Sequence, residues 1–228
     1  MDAVVLLYAQ RVPSKSAQFW CLIGTSALLA LLAIVFLDRE LAVHCKSWSE
    51  SMPREIHSLV ECITEAGDSM WWLTGSVLAF TVFALRKQHN LARWAFALFA
   101  AVGLSGLAVI AMKPIIGRYR PKLLHEADEY GFEFLRFSVG YDSNSFPSGH
   151  ATTISAAAVI LWSMFPKWRV PIVLLWLSTC ASRLMLGAHF LGDVIAGCAL
   201  GASVGALVLT TWRRQFAASV PTPLHETS

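Results

Sequence analysis

Charged residues are scarce in this sequence. Asp, Glu, Lys and Arg make up 14% of its 228 residues, whereas 56% are apolar. A soluble domain typically contains about 25% charged residues. A soluble protein of this size would have too little polar surface to cover so many apolar segments. The composition therefore argues against buried helices inside a water-soluble fold.

Cysteine motifs are also missing. The five cysteines form no CxxC pair and no cysteine–histidine cluster, so no zinc site is predicted. Cys21, Cys180 and Cys198 lie in apolar runs and are predicted to be inert core residues. Cys45 and Cys62 share one loop, and they could form a disulfide only if that loop faces an oxidising compartment.

Long uncharged runs dominate the rest of the chain. They cover residues 16–37, 69–85, 94–112, 151–166, 170–182 (reaching span length if continued to 186) and 194–212. Most of them reach the roughly 17–25 residues that a helix needs to cross a bilayer. Asp38-Arg39-Glu40 follows the first run in place of a small-residue cleavage site, which favours a retained helix over a signal peptide. The sequence predicts an all-α fold, a six-helix transmembrane bundle in one membrane-embedded domain over residues 1–228.

Two connections between the runs are long, at about residues 38–68 and 114–150. In the first, Ile56, Leu59, Val60 and Ile63 recur at helical spacing, which predicts a short amphipathic helix at the membrane interface. The second is rich in turn residues and predicts irregular structure. One membrane side would carry the termini and the short basic loops, and the other would carry the two long connections. Lysine and arginine are equally numerous on both sides, but three on the side of the long connections belong to the residues discussed next. The positive-inside rule then places the termini in the cytoplasm.

Three stretches place charged residues and histidines at the ends of the runs. They are Lys113-Pro-Ile-Ile-Gly-Arg-Tyr-Arg120-Pro121, Phe146-Pro147-Ser148-Gly149-His150, and Ser182-Arg183 followed by His189 and Asp193. In an alternating bundle these helix ends lie on the same membrane face. Taken singly, Lys113 and Arg120 could be interfacial anchors, and His150 could have no role. Asp193 borders the last apolar run, where ionisable groups are costly and usually functional.

Together these residues suit phosphate chemistry. Three cations, two of them arginine forks, match the oxygens of a phosphate, and Ser148-Gly149 before a helix offers hydroxyl and backbone N–H donors. His189 and Asp193 are four residues apart, so the carboxylate can orient the imidazole for nucleophilic attack. A second histidine can protonate the leaving oxygen. Histidines and carboxylates are too few for a two-metal site, so no metal or cofactor is predicted.

The three stretches resemble the signature motifs KxxxxxxRP, PSGH and SRxxxxxHxxxD of the type 2 phosphatidic acid phosphatase superfamily, with no departure at a motif position. The resemblance implies a phosphohistidine at His189, oriented by Asp193, with His150 as the acid for the leaving group and then the base for water. The phosphate-binding residues that it implies are Lys113, Arg120, Ser148, Gly149 and Arg183. Soluble vanadium haloperoxidases share these motifs, but the predicted spanning helices argue against that branch.

The resemblance also sets expectations for substrate and location. The chain looks like bacterial inner-membrane members that act on phosphatidylglycerol phosphate, undecaprenyl diphosphate or lipid A 1-phosphate, with the site facing the periplasm. Residues 64–72 resemble bacterial members that include lipid A 1-phosphatases. A lipid-to-lipid phosphotransferase would use the same histidine, whereas a lipid transporter or binding protein would not explain the two histidine spacings. No nucleic-acid partner is expected, and the oligomeric state stays open.

Overall fold

The computed structural model of the chain describes residues 16–135, 137 and 140–218. These residues form nine α-helices and no strand beyond one isolated bridge, so the all-α prediction is confirmed. The helices are α1 (Ser16–Phe36), α2 (Asp38–Ser51), α3 (Arg54–Glu65), α4 (Ser69–Leu85), α5 (His89–Ile116), α6 (Pro121–Ala127), α7 (Gly149–Met164), α8 (Arg169–Met185) and α9 (Leu191–Ala218). Single 3-10 turns lie at Tyr141–Ser143 and Pro166–Trp168.

Six of the helices cover the six apolar runs. Within the described residues, α5 and α9 are each long and apolar enough to cross a membrane, with mean hydropathies of 2.3 and 1.9. Two further spans exist only if each bent pair counts as one, α1 with α2 at 70° and α3 with α4 at 48°. Helices α7 and α8, with 16 and 17 residues, are at the lower limit of span length. The count of six spanning helices therefore remains a prediction.

The two long connections contain more helix than the sequence indicates. The amphipathic helix is present as α3, with Val60 and Thr64 buried and Leu59 exposed. Helix α2 precedes it and was not predicted, because it buries only Asp38 and Ala42 and so shows little apolar periodicity. The second connection was expected to be irregular, yet it contains α6, which starts with proline at a favoured first position. The predicted cytoplasmic termini, at residues 1–15 and 219–228, lie outside the described residues.

Glycines allow α7 and α9 to pack closely. A Cβ on Gly197 would lie 2.6 Å from the main-chain oxygen of Ser148, and one on Gly201 would overlap that of Thr152. Small residues of this kind let two helix backbones approach each other in membrane proteins. The N–H of Ser148 donates to the main-chain oxygen of Asp193 at 3.0 Å. The start of α7 is therefore fixed beside the first turn of α9.

All five cysteines are free thiols, so Cys45 and Cys62 do not form the disulfide that the sequence left open. Cys180 and Cys198 lie in the contact between α8 and α9, with their sulfurs 3.4 Å apart, as expected of core residues. Cys21 is exposed on α1, so its expected core position is wrong. A position within an apolar run does not show whether the residue faces another helix or the outer surface of the bundle.

Candidate active site

The helix ends that carry the three motifs meet at one place. Lys113, in the last turn of α5, interacts electrostatically with Arg120, Arg183 and Asp193. His150, at the start of α7, interacts with Lys113 and Arg183. We call the eight predicted site residues the motif cluster: Lys113, Arg120, Ser148, Gly149, His150, Arg183, His189 and Asp193. The structure thus brings together residues that are up to 80 positions apart in sequence.

His189 lies in the turn before α9, whereas the sequence predicted it at the start of that helix. The N–H groups of Ala188 and His189 both donate to the main-chain oxygen of Arg183, at 3.0 and 3.3 Å. These bonds hold residues after α8 in a tight turn, so α9 begins only at Leu191. The expected pairing survives this change, because Nδ1 of His189 is 3.5 Å from Oδ2 of Asp193.

The His189 imidazole is neutral near pH 7. Its side chain is 3% exposed. Burial, together with the nearby Arg120 and Arg183, lowers the pKa of His189 to about 3, although Asp193 acts in the opposite direction. Only the neutral imidazole has a free lone pair on a ring nitrogen, so this is the form that can act as a nucleophile.

Asp193 is held by several donors besides His189. Its Oδ1 accepts from Nη1 of Arg118 at 2.6 Å. Its Oδ2 accepts from Oγ of Ser145 at 2.5 Å and from the N–H of Phe190 at 3.0 Å. Hydrogen bonds to the charged form favour that form, so this fully buried carboxylate is stabilised as an anion.

Arg118 also donates from Nη2 to Oδ2 of Asp38 at 2.6 Å. Sequence analysis did not predict a role for Arg118, Ser145 or Asp38. Arg118 lies inside the first motif, but at a position that the motif leaves variable. Ser145 immediately precedes Phe146-Pro147, and Asp38 ends the first apolar run. A carboxylate at that boundary was the one available signal, since ionisable groups there are costly.

The Arg120 side chain is fixed by backbone carbonyls. Its Nε donates to Tyr141 at 2.8 Å, Nη1 to Ala188 at 2.8 Å and Nη2 to Asn144 at 3.4 Å. The guanidinium carbon lies 3.7 Å from the ring centroid of Tyr141. Each Nη carries two hydrogens, so Arg120 retains donors while it fixes the residue next to His189.

Arg183 has an unpaired donor. Its Nη1 donates to Oγ1 of Thr64 at 2.5 Å, but its buried Nε has no hydrogen-bond partner among the described residues. The residue is 8% exposed. A buried donor without an acceptor costs about 1–3 kcal/mol, and more for a charged group. A phosphate oxygen would supply the missing acceptor. Nε of Arg118 and of Arg169 also lack a partner among the described residues, so it is the position of Arg183 beside Arg120 and Lys113 that favours an anion here.

His150 packs over the turn between α3 and α4. A Cβ on Gly67 in that turn would lie 2.7 Å from Cβ of His150, so glycine is needed for this contact. Glu65 and Asp68 of the same turn also interact with the His150 imidazole. The second histidine is therefore under the electrostatic influence of two cations of the motif cluster and of two carboxylates near this turn.

The donor set of the cluster suits an anion. Within residues 16–135, 137 and 140–218, no group of three or more His, Cys, Asp or Glu side chains could hold a metal ion. The cluster instead supplies three cationic side chains and the N-terminus of α7, a combination that binds phosphate groups in proteins.

This fold and this cluster define an all-helical protein with apolar helices of membrane type, in which the cations and histidines of three sequence motifs meet. Residues 94–217 match the family model of the PAP2 superfamily. The lipid A 1-phosphatase of Rhizobium johnstonii is 36% identical over 178 residues, which are 71% of this chain and 70% of the relative. The decaprenylphosphoryl-5-phosphoribose phosphatase of Mycobacterium tuberculosis is 33% identical over 140 residues, or 60% and 69% of the two chains. The chain belongs to the PAP2 superfamily and is a phosphatase of that family.

Two solved structures have the same fold. The crystal structure of Aquifex aeolicus LpxE superposes with a TM-score of 0.57, covering 76% of this chain and 95% of that one. A transmembrane PAP2 type phosphatidylglycerolphosphate phosphatase from Bacillus subtilis superposes with a TM-score of 0.58, covering 87% and 97%. Both are 22% identical to this chain, so the likeness concerns the fold.

Proposed function

We propose that the chain is a lipid phosphatase that hydrolyses a phosphomonoester or diphosphate on a membrane lipid through a phosphohistidine at His189. One observation carries the proposal. A neutral, buried imidazole is paired with Asp193 and surrounded by cations, and one of these, Arg183, has an unpaired N–H. Such a site can hold a phosphate and present a nucleophile to it at the same time.

In the first step, Nε2 of His189 attacks phosphorus, because Nδ1 faces Asp193. A P–N bond forms and the P–O bond to the lipid breaks. His150 enters this step as an imidazolium, because the bound phosphate dianion beside it favours the charged form. It donates that proton to the departing oxygen and becomes neutral. The three cations Lys113, Arg120 and Arg183 stabilise the charge that develops on the phosphoryl oxygens. The dephosphorylated lipid then leaves.

In the second step, water attacks the phosphohistidine. His150, now neutral, takes a proton from the water, the P–N bond breaks and inorganic phosphate is released. Ser148 supports both steps as the N-cap of α7, since its Oγ accepts from the N–H of Ala151 at 3.5 Å. That cap leaves the N–H of Gly149 at the helix start to bind a phosphoryl oxygen.

The substrate is a lipid phosphate whose chains stay in the bilayer while its headgroup reaches the motif cluster. The relatives named lipid A 1-phosphatase favour lipid A 1-phosphate among the candidates. Phosphate release from lipid A 1-phosphate, phosphatidylglycerol phosphate and undecaprenyl diphosphate in mixed micelles tests this, with glycerol phosphate as the chain-free control. Chain contacts position the phosphate, so kcat/KM should be about 100-fold or more higher for a lipid than for glycerol phosphate.

Two outcomes of that assay would count against the proposal. Equal efficiency on the lipids and on glycerol phosphate would show that the chains do not contribute. Label found on a second lipid, with no free phosphate released, would establish a phosphotransferase instead. His189→Ala serves as the inactive control in both measurements.

Activity should persist in excess chelator, because three protein cations would carry out the charge stabilisation that a metal supplies elsewhere. Vanadate mimics five-coordinate phosphorus, so it should inhibit competitively and bind more tightly than inorganic phosphate. Assays in EDTA with and without added magnesium measure the first effect. An enzyme inactive in EDTA and restored by magnesium would overturn the metal-free mechanism.

The site faces the periplasm of the inner membrane in our proposal, with both termini in the cytoplasm. Asn90 and Lys113 lie at opposite ends of α5, about 35 Å apart at the helical rise. We therefore expect Lys122→Cys, close in sequence to the motif end, to react with an impermeant thiol reagent in intact cells, and Asn90→Cys not to react. Both native side chains are exposed. A background without the native cysteines is used, and the reverse labelling pattern would invert the orientation.

A further inference from the structure

A buried chain of ion pairs lies directly behind the motif cluster. Arg118 is 0% exposed, and its two Nη atoms contact Oδ1 of Asp193 and Oδ2 of Asp38, at 2.6 Å each. Asp38, the first residue of α2, also accepts from the N–H of Gly192 at 2.9 Å. This chain links the bend between α1 and α2 to the first turn of α9.

Aromatic side chains enclose the Arg118 guanidinium. Its guanidinium carbon lies 4.5 Å from the ring centroid of Phe190 and 4.9 Å from that of Phe132. The hydroxyl of Tyr130 lies 3.4 Å from Nη2. A Cβ on Gly192 would lie 2.9 Å from Oδ2 of Asp38, so glycine leaves the space for that carboxylate. In such a dry environment charged hydrogen bonds are strong, and an unmatched charge is costly.

We propose that Arg118 and Asp38 are positioning residues for the phosphatase reaction, and this rests on the proposed roles of His189 and Asp193. Arg118 binds Oδ1 of Asp193, which turns Oδ2 toward Nδ1 of His189. Asp38 binds the other arm of Arg118 and so fixes the fork. Neither residue touches the phosphate in this assignment.

The charge balance supports this role. Two carboxylates and one guanidinium carry one net negative charge beside His189. That charge compensates the positive charge that develops on the imidazole when a P–N bond forms. Without Arg118 two carboxylates would share one buried site, where like charges disfavour ionisation and one would take up a proton. Asp193 would then lose both its fixed orientation and part of its charge.

Kinetics of purified variants test the role. Arg118→Met should lower kcat by about 100- to 1000-fold, because small misplacements of catalytic groups have effects of that size. KM should stay within about threefold of its original value, because the phosphate-binding cations are unchanged. Arg118→Lys should recover part of the loss, since one charged donor returns. The matched control Arg39→Met removes an exposed arginine beside Asp38, paired with Asp128, and should leave both constants unchanged.

A double-mutant cycle separates positioning from general structural damage. If Arg118 acts through Asp193, Arg118→Met should cost less than about threefold in an Asp193→Asn background, since the two losses are then not additive. Multiplicative losses, or a rise in KM as large as the fall in kcat, would overturn the role. If Arg118→Met fails to fold, as judged by thermal unfolding in detergent, the same cycle with Asp38→Asn decides. Full activity in His189→Ala would instead refute the proposed function itself.

Discussion

Replacing His189 by alanine is expected to reduce phosphate release to background, a loss of about 10⁵- to 10⁶-fold in kcat, because removal of a nucleophile ends covalent catalysis. Among the described residues, His189 is the histidine that pairs with Asp193. The other histidine of the motif cluster, His150, packs against the turn between α3 and α4, where Glu65 and Asp68 act on it electrostatically. Steady-state phosphate release from the wild type and the variant, purified in the same detergent, measures the effect.

The matched control for that experiment is His44→Ala. His44 is exposed on α2, where its Nδ1 contacts the main-chain oxygen of Glu40 at 2.8 Å, so its loss should leave activity unchanged. A rapid alkaline quench should also trap labelled phosphate on the wild type and not on His189→Ala. Near-normal turnover by a folded His189→Ala protein would refute the phosphohistidine mechanism.

The motif cluster was predictable because its residues occur in three short stretches of sequence near the ends of apolar runs. Each stretch places its charged residues and histidines at or beside helix ends, and an alternating bundle brings those ends to one face. Only the helical position of His189 was wrong, since the bonds from its turn to the oxygen of Arg183 delay the start of α9. Spacing predicts which side chains can meet, but backbone hydrogen bonds decide where a helix begins.

The ion pairs behind the cluster were not predictable in the same way. Arg118 is separated from Asp38 by 80 residues and from Asp193 by 75, so no spacing rule connects them. Asp38 lies at the 70° bend between α1 and α2, which an uninterrupted apolar run does not reveal. Thr64 is a similar case, since its contact with Arg183 spans 119 residues. Such contacts follow from the packing of helices, which hydropathy does not determine.

Substituting Arg183 by methionine should lower kcat/KM by about 10³- to 10⁵-fold, the range found for arginines that stabilise a transferring phosphoryl group. Nη1 of the Arg183 guanidinium donates to Thr64, while Nε has no partner among the described residues. A phosphoryl oxygen could therefore accept a charge-assisted hydrogen bond from Nε. Arg183→Lys should have an intermediate effect, because a lysine keeps the charge and loses the fork. Phosphate release over a range of lipid phosphate concentrations gives the constants.

Thermal unfolding in detergent distinguishes this binding role from a structural one. A buried guanidinium with an unpaired nitrogen destabilises the fold without its ligand, so Arg183→Met should keep or raise Tm while activity falls. The control Arg169→Met lies at the opposite end of the same helix, stacked on Trp162 at 4.9 Å, and should retain activity. Vanadate should raise Tm in the wild type and in Arg169→Met, but not in Arg183→Met, because ligand binding to the folded state raises stability. Activity of Arg183→Met within tenfold of the wild type, or a Tm that falls together with activity, would assign Arg183 to the scaffold instead of the phosphate.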